Sequence, residues 1–320
     1  MISRCPSRSR ILAFACGFLA VLAMLLSACG ATTAIGGTGG QKTPVSATAT
    51  QVPVTCPDAS VVATWHLVNS GELTIASDTT YAPAEFPDAN NPSNFIGYDM
   101  DLAREFARRL CLKPNIVKAT FSNIIPDISG APLGQQRYDM SISSFTINAA
   151  RSQKVDMIPY FTAGESILTP TANPANIKSI NDMCGKNIAV QNGTVEQQEL
   201  EDANGGNQGS GQAPVCKSNP IVLISNDDQG FVVDQVLNGR ADASYQDQPV
   251  TDYYASLHPG KLVDSGITVQ PSPEGIVMRK DNLALETAIK DALQAMRTDG
   301  TYLTILKNWG QQSLAYPPLS

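Results

Sequence analysis

The chain has 320 residues, 42% of them hydrophobic, and a formal net charge of −7 at pH 7. This length suffices for one large or two medium globular domains, and the acidic balance argues against a nucleic-acid partner. Because the chain has only two histidines and no Cys-x-x-Cys pair, the sequence predicts no metal site, and nothing in it calls for a cofactor.

The first predicted element is an export signal. Three arginines precede an apolar stretch over residues 11–26, which is too short and wrongly flanked for a membrane span. Leu26-Ser27-Ala28-Cys29 then matches the bacterial lipobox, in which the cysteine is lipidated and becomes the mature N-terminus. The alternative is an ordinary cleavage site followed by an accidental cysteine. We therefore expect residues 1–28 to be a lipoprotein signal peptide, and the exported protein to be held by lipid on Cys29 at the outer face of the bacterial cytoplasmic membrane.

Residues 29–56 are predicted to form a flexible tether, because they are mostly Ala, Thr, Gly, Ser and Pro with one charge, Lys42. Four cysteines then remain, and an exported protein meets oxidising conditions, so disulfides are expected. Four cysteines allow three pairings. We favour Cys184–Cys216, which encloses the Gly-rich loop 204–211, together with Cys56–Cys111.

Further along the chain, strands and helices alternate, which predicts parallel strands covered by helices. The first unit is predicted to have strands over 73–77, 116–119 and 140–143, helices ending near 112 and over 123–128, and an irregular segment over 155–161. A strand over 166–169 follows, at the point near Glu165 where a second unit starts. The second unit is predicted to have strands over 186–190, 221–224 and 243–245 and helices over 194–202, 228–237 and 247–256. A strand over 275–280 and helices over 283–298 and 301–309 should return to the first unit.

The segment that ends at Arg151 has the composition of an anion site. Ser143, Ser144 and Thr146 follow a short buried strand, and Asn148 is placed to cap the helix that carries Arg151. Hydroxyls, backbone N–H groups and a guanidinium can all point at one carboxylate. The alternative is a plain strand–loop–helix connection with a solvated arginine.

A short internal similarity links the two units. The sequence Arg137-Tyr138-Asp139-Met140 is echoed by Arg240-Ala241-Asp242-Ala243, and in each case the aspartate precedes a short strand. Ser144 and Asp247 lie five residues beyond these aspartates. If the units are counterparts, both residues lie at the carboxyl end of a strand, where open α/β sheets bind ligands.

Several motifs, in this order and at this spacing, resemble the family-3 solute-binding proteins of polar amino-acid ABC transporters. They are Ser77-Asp78-Thr79-Thr80-Tyr81-Ala82-Pro83, Gly97-Tyr98-Asp99-Met100-Asp101-Leu102, Ser143-Ser144, Arg151, Gly193-Thr194, Asp242-Ala243-Ser244-Tyr245-Gln246-Asp247 and Arg297-Thr298-Asp299-Gly300-Thr301-Tyr302. The resemblance implies the two-lobed periplasmic-binding-protein type II fold, an α/β fold in which each lobe is a mixed, mostly parallel sheet flanked by helices. Lobe 1 should comprise 57–164 and 272–320, and lobe 2 should comprise 165–271.

The resemblance also implies a site for a zwitterion. Arg151 of lobe 1 should hold the α-carboxylate of an amino acid, and Asp247 of lobe 2 its α-ammonium, so that the ligand bridges the lobes and favours closure. Removing both charges from water requires a partner for each. The remaining polar contacts should come from Ser143, Ser144, Thr146 and the backbone near Thr194.

The ligand's side chain should be contacted by Asp78, Tyr81 and Phe121 from lobe 1 and by Glu196 from lobe 2. Two acids would suit a cationic or amide side chain. Where the family often has an aromatic residue, this chain has Ala84, which leaves stacking to Tyr81 and Phe121. For Tyr81 the alternative is a core aromatic, and for Asp247 a helix N-cap.

The expected function is therefore the capture of a polar or charged amino acid by a monomer that delivers it to an ABC permease. One alternative is an enzyme on the same fold, such as a dehydratase of prephenate-like acids, which needs a positioned acid or base. We do not expect an enzyme, since the sequence has no recognisable catalytic set. Another alternative is a lipoprotein sensor with the same pocket.

Overall fold

The computed structural model describes residues 52–266 and 271–317. The predicted signal peptide, the lipidation site Cys29 and nearly all of the tether lie outside these residues. Within the described ranges, none of the helices has the length and apolarity needed to cross a membrane.

Strands and helices alternate through most of the described chain. The strands are β1 Glu72–Ser77, β2 Phe86–Asp88, β3 Asn91–Ile96, β4 Lys113–Lys118, β5 Met140–Ser141, β6 Asp156–Ala163, β7 Glu165–Pro170, β8 Asn187–Gln191, β9 Val222–Asn226, β10 Ala243–Asp247, β11 Leu262–Asp264 and β12 Ser272–Met278. The α-helices are α1 Ala59–Ala63, α2 Tyr98–Arg109, α3 Phe121–Ser129, α4 Ala149–Lys154, α5 Val195–Ala203, α6 Gln229–Leu237, α7 Gln248–Leu257, α8 Leu283–Thr298 and α9 Thr301–Asn308.

Two five-stranded sheets organise the fold. The first has the order β4-β1-β5-β12-β6 and the second the order β11-β7-β10-β8-β9. Each sheet is mixed, with two parallel and two antiparallel pairings. The chain passes from the first sheet to the second at Gly164, between β6 and β7, and returns between β11 and β12. The precise residue limits of the two lobes stay a prediction.

The segment over 155–161 is predicted to be irregular, and this prediction is wrong, because β6 is one of the longest strands of the first sheet. Pro159 interrupts its pattern and lacks a backbone donor. β6 lies at the edge of the sheet, where it pairs with β12 and makes one isolated bridge from Phe161 to Ala315, and an edge strand tolerates a proline. The sequence also gives no indication of the β2–β3 hairpin, whose prolines and asparagines are typical of a loop.

The apolar core that supports the site lies between the sheets and the helices that cover them. α2, α8 and α9 pack on the first sheet, where Phe106, Ile289 and Leu306 are fully buried. The second sheet packs separately around residues that include Ile188 and Tyr245. The C-terminal helices therefore return to the first sheet, as the sequence predicts.

Both predicted disulfides are present. Cys56 and Cys111 join the segment before α1 to the end of α2, with Cα atoms 5.6 Å apart. Cys184 and Cys216 enclose α5 and the Gly-rich loop that follows it, with Cα atoms 5.0 Å apart. The second disulfide therefore ties that loop to the core of the second sheet.

Candidate functional site

The first wall of the site is the connection between β5 and α4. Ser144 has a left-handed backbone, with φ of 45°, which a non-glycine residue adopts only when its surroundings hold it. Its N–H donates to Asp99 Oδ2 at 3.1 Å. Asn148 caps α4 as predicted, since its side chain accepts from the N–H of Arg151 at 2.8 Å. Together these bonds fix the strand end and the helix start from which the site's polar groups project.

Arg151 is the cation of the site and is 7% exposed. Its guanidinium donates to the carbonyl of Thr146 at 2.7 Å and, across the cleft, to the carbonyl of Gly193 at 3.1 Å. It also lies over the rings of Phe121 and Phe145, at 5.5 and 5.2 Å from their centroids. Burial lowers the pKa of Arg151 to about 10, so the group stays charged at neutral pH. Both of these hydrogen bonds end on neutral carbonyls, and a guanidinium has five N–H donors.

Asp247 faces this cation from the second sheet. It ends β10, and its Oδ2 accepts from the hydroxyl of Tyr81 at 2.9 Å. Although Asp247 occupies the N-cap position of α7, its side chain makes no capping bond there. Burial raises the pKa of Asp247 to about 7. The carboxyl is therefore directed at the cleft rather than at the helix.

Glu196 and Thr194 occupy the start of α5. Thr194 caps this helix, accepting from the N–H of Gln197 at 3.2 Å, and donates to the carbonyl of Gln191 at 2.9 Å. Glu196 is 2% exposed, and its Oε1 has no hydrogen-bond partner among the described residues. Burial, followed by the nearby Asp247, raises the pKa of Glu196 well above its usual range. An acid in this position gains from a cationic neighbour.

Asp78 and Ser143 lie behind the wall of the site. Asp78 accepts from Thr80 Oγ1 at 3.0 Å and from the side-chain amide of Gln191. Ser143 accepts from the N–H of Asp78 at 2.9 Å and donates to Glu85 at 2.7 Å. Burial raises the pKa of Asp78 to about 7. These two residues are predicted site residues that support the wall instead of lining the cavity.

The walls close on a narrow cavity of about 10 Å³. Eight of the ten predicted binding residues line it, and two further residues, Gln191 and Val195, are not predicted by the sequence. The lining residues are Tyr81, Phe121, Ser144, Thr146, Arg151, Gln191, Thr194, Val195, Glu196 and Asp247. Gln191 is the last residue of β8, so the rule that ligands bind at the carboxyl ends of strands could have identified it.

Segments that flank the two sheets also touch each other outside the cavity. The N–H of Gln229 donates to Thr80 Oγ1 at 3.1 Å. At the rim, the ring of Phe86 lies 5.6 Å from that of Tyr253, and Trp309 packs edge-on against Phe86 at 5.9 Å. The cleft is thus closed by polar contacts inside and by an aromatic contact at its edge.

The chemistry of the cavity is that of a binding site with one cation and several acids. The guanidinium can pair with a carboxylate, and the acids can pair with ammonium or guanidinium groups. Over residues 52–266 and 271–317, no group of three or more His, Cys, Asp or Glu side chains is arranged to hold a metal ion. The charges therefore suit an organic ion that carries both signs.

The sequence pattern of the bacterial extracellular solute-binding proteins, family 3, matches residues 73–312. The chain belongs to this family. This family-3 protein is 28% identical over 246 residues to "ABC transporter arginine-binding protein 1" of Escherichia coli (strain K12), and the match covers 75% of this chain and 91% of the relative. The resemblance predicted from the motifs is confirmed.

Solved structures agree with this assignment. An ancestral arginine-binding protein bound to arginine has a TM-score of 0.66 and 30% identity, covering 75% of this chain and 98% of that one. The ancestral amino acid-binding protein AncCDT-1, a precursor of cyclohexadienyl dehydratase, has a TM-score of 0.64 and 30% identity, covering 75% and 95%. The predicted two-lobed type II fold of this family-3 protein is confirmed.

Proposed function

We propose that this family-3 protein binds an amino acid with a cationic side chain in the cleft and delivers it to an ABC permease. The observation that carries the proposal is the pair of opposed charges. Arg151 projects from the first sheet and Asp247 from the second, and both are buried at one cavity. A free amino acid has an α-carboxylate for the first and an α-ammonium for the second. A ligand held by both closes the lobes.

The choice of a cationic side chain follows from the charges that remain. Once the α-carboxylate occupies Arg151 and the α-ammonium occupies Asp247, Glu196 is left in the cavity with an unpaired oxygen. Asp78 adds a second acid nearby, since it accepts from the side chain of Gln191, which lines the cavity. A guanidinium or ammonium on the ligand would pair with Glu196, and the two relatives named for arginine support this choice.

The first experiment is a thermal-shift screen of the twenty amino acids, because a ligand that binds only the folded protein raises its melting temperature. Arginine, lysine and histidine should give the largest shifts. Calorimetry then measures Kd for the best ligand in Arg151→Ala and Asp247→Ala, both of which should nearly abolish binding. Arg137→Ala, an exposed surface arginine paired with Asp127, is the matched control. Unchanged affinity in either cleft variant would refute the site.

We also infer that the protein binds its ligand without converting it. The kinship of AncCDT-1 with a dehydratase makes this worth testing, since Glu196 is a buried acid in the cleft. Incubation with prephenate and arogenate, followed by chromatography, should yield no product above the uncatalysed rate. Turnover that disappears in Glu196→Gln would show an enzyme instead.

Lipid anchoring and the monomeric state belong to the proposal as well. The lipobox Leu26-Ser27-Ala28-Cys29 supports lipidation of Cys29. Expressed in bacteria, the full chain should fractionate with membranes, and Cys29→Ser should release it or leave the signal uncleaved. Recovery of the wild type in the soluble fraction would contradict lipidation.

Light scattering of the chain from residue 43 onward should give one copy per particle, and a dimer mass would contradict the monomer.

A further inference from the structure

Three side chains form a polar cluster in the wall of the second sheet, beside the proposed ligand site. The hydroxyl of Tyr245 lies 2.8 Å from Glu199 Oε2 and within hydrogen-bond distance of Glu165 Oε2. Tyr245 and Glu165 are buried. Neither carboxyl of this cluster has a role in the proposed contacts with the ligand.

The number of protons in this cluster follows from its geometry. A phenol has one hydrogen and can donate to only one of the two carboxyls, and an ionised carboxylate can only accept. The second contact is a hydrogen bond only if the other carboxyl is protonated and donates to the phenol oxygen. One contact therefore uses the hydrogen of the phenol and the other needs a carboxyl proton, which we place on Glu199, the acid whose pKa burial raises.

The fold connects this proton to the ligand site. Tyr245 and Asp247 are two residues apart on β10, so their side chains lie on the same face. Glu165 on β7 is paired directly with Asp247. Glu196 and Glu199 are three residues apart on α5 and share a face of that helix. The proton on Glu199 thus lies next to both acids of the cavity.

The charges that face the cluster are mostly negative. Asp247 and Glu196 face it from β10 and α5, and Asp202 adds a further negative charge near Glu199. Arg151 on α4 is the cation that acts on Asp247, and Tyr81 donates to the same carboxyl. A cationic ligand side chain that enters the cavity lowers the free-energy cost of ionising Glu199.

We propose that binding of a cationic amino acid expels the proton held by Glu199 beside Tyr245 and Glu165, so that affinity increases with pH. The inference rests on the proposed function. On binding, the O–H bond of the protonated carboxyl breaks, the electron pair stays on the carboxylate, and the proton passes to the buffer. Burial raises the pKa of Glu199 to about 8, which places the effect near neutral pH. Affinity should rise by up to about tenfold per pH unit for each proton released.

The test is calorimetry of the chain from residue 43 onward with arginine, at pH 7, in phosphate buffer and in imidazole buffer. The two buffers take up a proton with different enthalpies, so the difference in binding heat counts the protons released. Wild type should release about one proton or more, because Asp247 and Glu196 can contribute as well. Glu199→Gln should still bind arginine and release measurably fewer, and Glu165→Gln should do the same.

The matched control is Glu201→Gln, a half-buried acid on the same helix that is not part of the cluster. It should release as many protons as the wild type. Equal heats in both buffers for the wild type, or unchanged release in both Glu199→Gln and Glu165→Gln, would overturn the inference while leaving the binding function intact. Absence of any binding heat with every amino acid would instead refute the proposed function.

Discussion

Gly193 lies where the two walls of the cleft are in contact, so it offers a direct test of closure. Its φ is +80°, and a Cβ built on it would lie 2.8 Å from the Cβ and 3.0 Å from the Cα of Ser122 in the other wall. A contact below 3.0 Å requires something to move. Its carbonyl also accepts from Arg151 across the cleft. An added methyl group therefore pushes the walls apart at the point where Arg151 is held.

The expected cost of Gly193→Ala in the closed form is that of an overpacked contact, about 1–3 kcal/mol. Since about 1.4 kcal/mol is tenfold in affinity, Kd should rise by roughly 5- to 150-fold. The variant also forces alanine into a left-handed conformation, which costs about 1–2 kcal/mol of folding free energy. That second cost lowers the melting temperature without requiring the cleft to close.

Gly209→Ala separates the two effects. Gly209 has nearly the same φ, +81°, but a Cβ on it would meet nothing within 4 Å. It should lose stability to a similar extent and keep the affinity of the wild type. Calorimetry with the best ligand from the screen measures Kd, and thermal denaturation without ligand measures stability. Equal affinities for the Gly193→Ala and Gly209→Ala proteins would refute the reasoning that this contact limits closure.

Three further predictions follow from the site and the core. Arg151→Lys keeps the charge but loses the planar fork, so Kd measured by calorimetry should rise by roughly 10- to 150-fold, and an unchanged Kd would exclude paired contacts. Replacing Cys184 and Cys216 with serine should lower the unfolding free energy in urea by about 3–4 kcal/mol, and a loss below about 1 kcal/mol would contradict the loop-closure account. Burial raises the pKa values of Asp99 and Asp247 to about 7, so the folded protein binds more protons than the unfolded chain between about pH 4 and 7. Ligand-free stability should therefore fall as pH rises through this window, and a melting temperature that increases from about pH 5 to about pH 7 would contradict it.

The sequence predicts best those parts of the fold that depend on local chemistry. The helix over 283–298 is predicted at its observed limits, and Asn148 is recognisable as a cap because a polar residue precedes a helical pattern. The strand over 156–163 is missed, since Pro159 hides its pattern and only the sheet's edge makes it acceptable. The position of this strand at the edge of the sheet makes its proline acceptable, and the local sequence does not reveal that position.

In the candidate site, too, single residues can be predicted from the sequence, whereas contacts between distant residues cannot. Arg151 can be predicted as an anion-binding residue from the hydroxyls and the helix cap beside it, whereas the role of Asp247 comes from the family resemblance, with support from the short internal similarity. The bond between Asp78 and Gln191 cannot be predicted, since it forms between the two walls when the lobes meet. Nor does the sequence indicate that Glu165 and Glu199 share one phenol, because the three residues come from distant parts of the chain.

The aromatic contact at the rim gives the protein an optical property of its own. The chain has two tryptophans, and Trp65 is buried in the core of the first sheet. Trp309 packs on Phe86, which in turn meets Tyr253 on α7, a helix that packs against the second sheet. Separation of the lobes would remove Tyr253 and change the surroundings of Trp309. Its fluorescence therefore provides an intrinsic signal with which the rates of cleft opening and closing can be followed in a stopped-flow instrument without an attached dye.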